Sequence, residues 1–138
     1  MDGQMESLIC LDTSVLIDFY RKTKKEKSFF YLLTTKYSGF VIPVTVHFEL
    51  LVGNNEKQIS FWQNLLEDFL VIPYHPNVNF TAIKIVKQLK TNKKSIEFKD
   101  LQIAATALHY NYTLATLNQK HFEDIISLKL ITPNSFTQ

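Results

Sequence analysis

One cysteine, three glycines and four prolines are all that the 138 residues hold of the types that staple or sharply turn a chain. Cys10 stands alone, so neither an internal disulfide nor a thiolate zinc cage can form within the chain. It lies in the apolar run Leu8-Ile9-Cys10-Leu11 and is expected to be a small buried hydrophobe. So few glycines and prolines argue against an all-β design with a turn every ten residues or so. Long apolar runs are also missing, and none approaches the roughly 20 residues needed to cross a bilayer. Asp2 and Glu6 stand where a signal peptide would need an uninterrupted apolar stretch. A cytoplasmic location, away from any membrane, is therefore expected. Charge of one sign is missing too: 15 Lys+Arg against 13 Asp+Glu leave a net +2. Lysines nevertheless gather in two places, Arg21 to Lys27 and Lys84 to Lys94. Such clusters read first as solvated helix faces and second as contacts for phosphates.

What is present is a hydrophobic share of 46% in a length suited to one domain, residues 1–138. Residues 8–12 predict a short buried strand that ends in Asp12, with Thr13 or Ser14 capping a helix from Val15. Further helices are predicted over about 25–36, over 45–51 with Gly53 as its left-handed C′ residue, and over 59–69. Helices at 78–90, 98–110 and 120–126 follow. Apolar strands are expected at 40–42, stopped by Pro43, and at 70–72, 113–115 and 129–131, with a polar loop over 91–95. Trp62 reads as core or flank packing rather than as a platform for a base. The alternation argues for an α/β sandwich with a mostly parallel central sheet, whose crevice lies at the carboxyl ends of the strands. Asp12 and the segment Thr116-Leu117-Asn118 both fall at such ends.

Three acids occupy unusual settings. Asp12 closes an apolar strand, where its rival role is capping the next turn. Glu49 sits among the large apolar residues of Val44–Gly53; taken alone it reads as a solvent-facing acid. Asp100 lies in the first turn of an alanine-rich helix that can approach the sheet closely; taken alone it is an acid favoured by the helix dipole. If the three converge they repel, by about 4 kcal/mol for a pair roughly 4 Å apart at an effective dielectric near 20. Either one carboxyl is protonated or a divalent cation neutralises the cluster. All-oxygen ligands suit Mg²⁺ or Mn²⁺. Asp18, Glu123 and Asp124 read as surface acids, and His47, His75 and His109 form no pair at metal-ligand spacing.

Leu11-Asp12-Thr13-Ser14-Val15-Leu16-Ile17-Asp18 resembles the opening of a PIN domain. Phe48-Glu49-Leu50-Leu51-Val52-Gly53 resembles that family's second motif, and Asp100-Leu101-Gln102-Ile103-Ala104-Ala105 its third. Thr116-Leu117-Asn118-Gln119-Lys120-His121-Phe122 resembles the closing motif. Each is weak alone; four in order over nearly the whole chain are specific. The resemblance implies a PIN-like three-layer α/β sandwich and metal-dependent endoribonuclease activity on RNA. It also implies a toxin of the VapC type, with a cognate antitoxin as partner and a homodimer as assembly. Asp12, Glu49 and Asp100 fall on the family's Mg²⁺- or Mn²⁺-binding acids, and Asn118 on a catalytic amide that orients an acid or a metal-bound water. Thr13 or Ser14 would hydrogen-bond Asp12 or such a water. His121 stands where many relatives carry an acid, so any second metal site should be weaker, unless His121 merely packs beside Phe122. Glu97 is a further acid near Asp100, expected to face solvent. The departure at His121 leaves a second reading open, a catalytically weakened PIN fold that binds RNA or a partner protein. An unrelated Mg²⁺-dependent phosphohydrolase is a third, disfavoured because no glycine-rich phosphate loop is present.

Overall fold

A computed structural model describes residues 6–52 and 55–136. Its centre is a five-stranded, wholly parallel sheet in the order β3-β2-β1-β4-β5, flanked by helices. The strands are β1 (Glu6–Leu11), β2 (Tyr37–Pro43), β3 (Leu70–Ile72), β4 (Leu114–Ala115) and β5 (Leu130–Ile131). The helices are α1 (Thr13–Arg21), α2 (Phe29–Thr34), α3 (Val44–Leu51), α4 (Glu56–Leu65), α5 (Val78–Thr91), α6 (Phe98–His109) and α7 (Gln119–Phe122). Parallel neighbours require crossovers, and helices supply them.

β1 is the middle strand, with Cys10 opposite Val41 on one side and Leu114 on the other. Covered laterally and on both faces, Ile9, Cys10 and Leu11 are wholly buried, which is why the three positions before Asp12 are apolar. Burial pushes the Cys10 thiol up, so it stays a neutral core group as expected. The sheet grows from β1 through β2 to β3, then returns to place β4 on the other side of β1. The order therefore reverses between β1 and β4, and a crevice opens at their carboxyl ends.

Several predicted elements move. The helix expected over 25–36 breaks at Ser28, giving a 3₁₀ turn at Lys25–Lys27 and then α2. The buried Ser28 hydroxyl donates to Lys25 O and accepts from Tyr31 N, a local bonding pattern that competes with helix continuation. β2 is longer than 40–42, because Tyr37 to Pro43 pair along β1 and β3. α4 begins earlier than 59, at Glu56, because Asn55 accepts from Gln58 N as its cap, and ends in a 3₁₀ turn over Leu66–Asp68. The helix expected over 120–126 stops at Phe122. Three-residue turns, Ile125 N to Phe122 O and Leu128 N to Ile125 O, then bury Ile125 and Leu128. Gly53, expected as a helix terminator, lies outside the described residues.

The basic cluster after α1 is partly committed to structure. Lys25 Nζ donates to Phe19 O at 2.6 Å and Tyr20 O at 2.8 Å, satisfying carbonyls at the end of α1. Lys22 pairs with Asp18 at 3.2 Å, and Asp18 also accepts from Phe29 N. Asp18 thus ties α1 to α2 and is not the free surface acid the sequence implied. Among the described residues no helix is long and apolar enough to cross a membrane.

Candidate active site

Three elements deliver the acids to the crevice: Asp12 ends β1, Glu49 lies in the last turn of α3, and Asp100 lies in the first turn of α6. A bond from Thr45 Oγ1 to Gln102 Oε1, at 3.1 Å, joins α3 to α6. Asp12 and Asp100 are 4% and 5% exposed, an unusual burial for carboxylates. Glu49 is half-buried.

Asp12 sits at the N-cap of α1, so the helix starts two residues earlier than expected. Its extended backbone (φ −76°, ψ 154°) lets its carbonyl accept from Val15 N, while no side chain caps the helix. The hydroxyls expected to cap are turned into the site instead. Ser14 Oγ donates to Asp12 Oδ2 at 2.8 Å and accepts from Leu117 N at 3.0 Å. Thr116 Oγ1 donates to the same Oδ2 at 2.7 Å and accepts from Asn118 N at 2.9 Å. A hydroxyl has one proton, and the backbone N–H groups occupy its acceptor side, so both protons point at Asp12. Both bonds fall on Oδ2; among the described residues Oδ1 has no hydrogen bond and is left for a ligand.

Thr116, wholly buried, is the positioning residue that sequence reasoning passed over in favour of Asn118. The available signal was its place one residue beyond β4, the strand paired with β1. Asn118 itself is exposed; its backbone N–H donates to Thr116 Oγ1, and its carbonyl accepts from His121 N. Among the described residues its side chain makes no hydrogen bond to Asp12 or Asp100.

Glu49 is engaged at both oxygens. Thr13 Oγ1 donates to Oε1 at 2.6 Å, and Lys99 Nζ lies 3.1 Å from Oε2. The Lys99 ammonium is held above its ordinary value by that bond first. Burial opposes the rise, and the charges of Glu49, Asp100 and Asp12 add to it. His121 Nδ1 lies 3.1 Å from Asp100 Oδ2, so the ring faces the cleft rather than serving only as packing for Phe122. Glu97, Asp100, Lys120 and His121 line one concavity with Ser95 and Asp124. Glu97 is exposed at its rim.

The donor set is one of carboxylates and hydroxyls without sulfur, which in kind fits a hard divalent cation. All three acids act electrostatically on Lys99. Among the described residues, however, no three His, Cys, Asp or Glu side chains form a group that could hold a metal ion. Glu49 is turned to Lys99 and Thr13.

Desolvation raises the Asp100 carboxyl above its ordinary value; His121 and Lys99 oppose the rise, and Asp12 and Glu97 add to it. A carboxyl raised in the folded state stabilises the fold below its unfolded value, and that stabilisation is lost as pH rises through the folded value. Metal-free stability is therefore expected to fall as pH rises from about 4 through the raised value. Asp100→Asn should remove this slope and melt in EDTA, near neutral pH, at the same or a higher temperature than wild type. A clearly lower melting temperature would show that the His121 contact outweighs the burial of charge.

A family model described as PIN domain matches residues 9–126. This chain belongs to the PIN domain family. Ribonuclease VapC1 of Methanocaldococcus jannaschii is 34% identical over 119 residues, covering 86% of this chain and 81% of the relative. Ribonuclease VapC1 of Rickettsia felis is 30% identical over 135 residues, covering 92% and 97%. Among solved structures, VapBC-1 from nontypeable Haemophilus influenzae superposes with a TM-score of 0.77 at 25% identity, covering 91% of this chain and 97% of that one. VapBC2 from Rickettsia felis, bound to a DNA fragment from its promoter, gives a TM-score of 0.77 at 23% identity over 91% and 98%. The PIN fold expected from the four motifs is the fold observed.

Proposed function

We propose that this PIN domain is an endoribonuclease of the VapC type, the toxin of a toxin–antitoxin pair, and that it hydrolyses RNA phosphodiesters with Mg²⁺ or Mn²⁺. The observation that carries the reading is the pair of buried carboxylates, Asp12 at the end of β1, where strand order reverses, and Asp100, which feels the charge of Asp12. Asp12 through Oδ1, Asp100 and a released Glu49 would hold the cation. When bound, it would supply charge stabilisation at the scissile phosphate and a more acidic water. Ser14 and Thr116 fix the Asp12 plane, and Thr13 sets Glu49. Lys84, Lys87, Lys90, Lys93 and Lys94 are all exposed along and just after α5. Lys90 and Lys94 border a groove with Ser95 and Ile96, residues that also line the acid cleft. This lysine row is a path for an RNA backbone.

A cognate antitoxin and a second copy of the chain are the proposed protein partners. Exposed Phe80, Ile83 and Phe98 on α5 and α6 give a protein apolar surface to cover. The test of activity is cleavage of single-stranded RNA with Mn²⁺ against the same reaction in EDTA. Cleavage that persists unchanged in EDTA would remove the metal from the reading. Binding of RNA without any cleavage would favour the weakened, binding-only PIN fold.

His121 separates these further. His121→Asp places an anion beside Asp100 and should tighten Mn²⁺ binding by about 1 kcal/mol, limited by solvent screening. RNA cleavage should rise at limiting metal and converge with wild type at saturation. Identical metal dependence of the two proteins would take position 121 out of the metal site.

A further inference from the structure

We propose that Lys99 is the resident counter-cation of the carboxylate cleft, holding Glu49 until a divalent cation displaces its ammonium, so that Lys99 sets how tightly the chain takes up metal. The inference rests on the metal-dependent reading above and concerns how that same site is loaded.

Both Glu49 oxygens are occupied, Oε1 by the Thr13 hydroxyl and Oε2 by Lys99. A cation that takes Glu49 together with Asp12 and Asp100 therefore meets the Lys99 ammonium at the same carboxylate. Lys99 directly precedes Asp100 on α6, so the element that carries one acid also carries the cation on another. The Lys99 ammonium thus neutralises Glu49. Its side chain is 49% exposed against 21% for Glu49, so the stem can swing into solvent with little desolvation cost. A half-exposed ion pair contributes little to stability. Its consequence lies instead in competition: a divalent ion at the same carboxylate attracts about twice as strongly and repels the ammonium.

The experiment titrates Mn²⁺ into the full, metal-free chain by calorimetry, for wild type, Lys99→Met and Lys99→Arg, and melts each in EDTA and in saturating Mn²⁺. Lys99→Met keeps the apolar stem and removes the competitor, so it should bind Mn²⁺ tighter by roughly fivefold, the scale of one half-exposed pair. Lys99→Arg keeps the charge and should bind no tighter than wild type. In EDTA the Met variant should melt lower, and in Mn²⁺ the two should converge; a merely structural Lys99 would lower both melts alike. Binding by the Met variant where wild type shows none would also uphold the proposal. Equal or weaker binding by Lys99→Met, with wild type binding normally, overturns it and leaves the metal reading intact. No binding by either protein takes down both.

Discussion

Asp12→Asn is expected to reduce RNA cleavage by a factor on the order of a hundred to a thousand, or about 3–4 kcal/mol of transition-state stabilisation. The amide has the shape of the carboxylate, and its oxygen can still accept from Ser14 Oγ and Thr116 Oγ1. The turn after β1 should therefore survive, while the charge facing the cleft is gone. The same substitution should abolish most of the thermal stabilisation by Mn²⁺. A ligand bound only to the folded state contributes about 2.7 kcal/mol at a hundred times its dissociation constant. Near-wild-type cleavage by a folded Asp12→Asn protein would remove Asp12 from the chemistry. Loss of activity with the Mn²⁺ stabilisation intact would place Asp12 on the substrate rather than on the ion.

The largest stability loss is expected from Trp62→Ala. Trp62 is 1% exposed and packs on the Tyr20 ring at 5.4 Å and the Phe61 ring at 5.0 Å, holding α4 against α1. Truncating a buried aromatic side chain costs about 3–5 kcal/mol, including the cavity left behind. For a domain whose whole stability is on the order of 10 kcal/mol, that is a large part. The urea midpoint should fall with little change in slope. A loss below about 1 kcal/mol would mean that the site collapses around the gap. Trp62→Phe should recover much of the stability; if it instead weakened RNA binding selectively, Trp62 would be a stacking platform after all.

The three acids illustrate how much of the site the sequence carries. Asp12 is conspicuous because an acid closing the apolar run Leu8–Leu11 has few bland explanations, and the central position of β1 is what makes the end of that strand apolar. Asp100 was readable from the small residues behind it: Ala104, Ala105 and Ala107 are wholly buried where α6 packs into the core. Glu49 was ambiguous because α3 carries apolar residues on most sides, and exposed Phe48 and Val44 show that its pattern does not identify an inward face. The fold class followed from alternating short apolar strands and amphipathic helices, since parallel strands need such crossovers.

The hydrogen-bond and ion-pair partners were decided by tertiary structure. Thr116 lies 104 positions from Asp12 and becomes its neighbour only because β4 pairs with β1. Lys99 and Glu49 meet because α3 and α6 are joined by the Thr45–Gln102 bond, and His121 faces Asp100 because α7 packs against α6. Helix boundaries moved for a related reason: at Ser28 and Asn55 a side chain of a few atoms satisfies a backbone group, and periodicity does not register it. The sequence by itself determined the layered α/β fold, the core strand and the residues able to carry charge, because these follow from apolar periodicity and burial. Which oxygen meets which donor was decided only when distant segments packed, because hydrogen bonds and ion pairs depend on distances of a few ångströms that spacing along a chain does not encode.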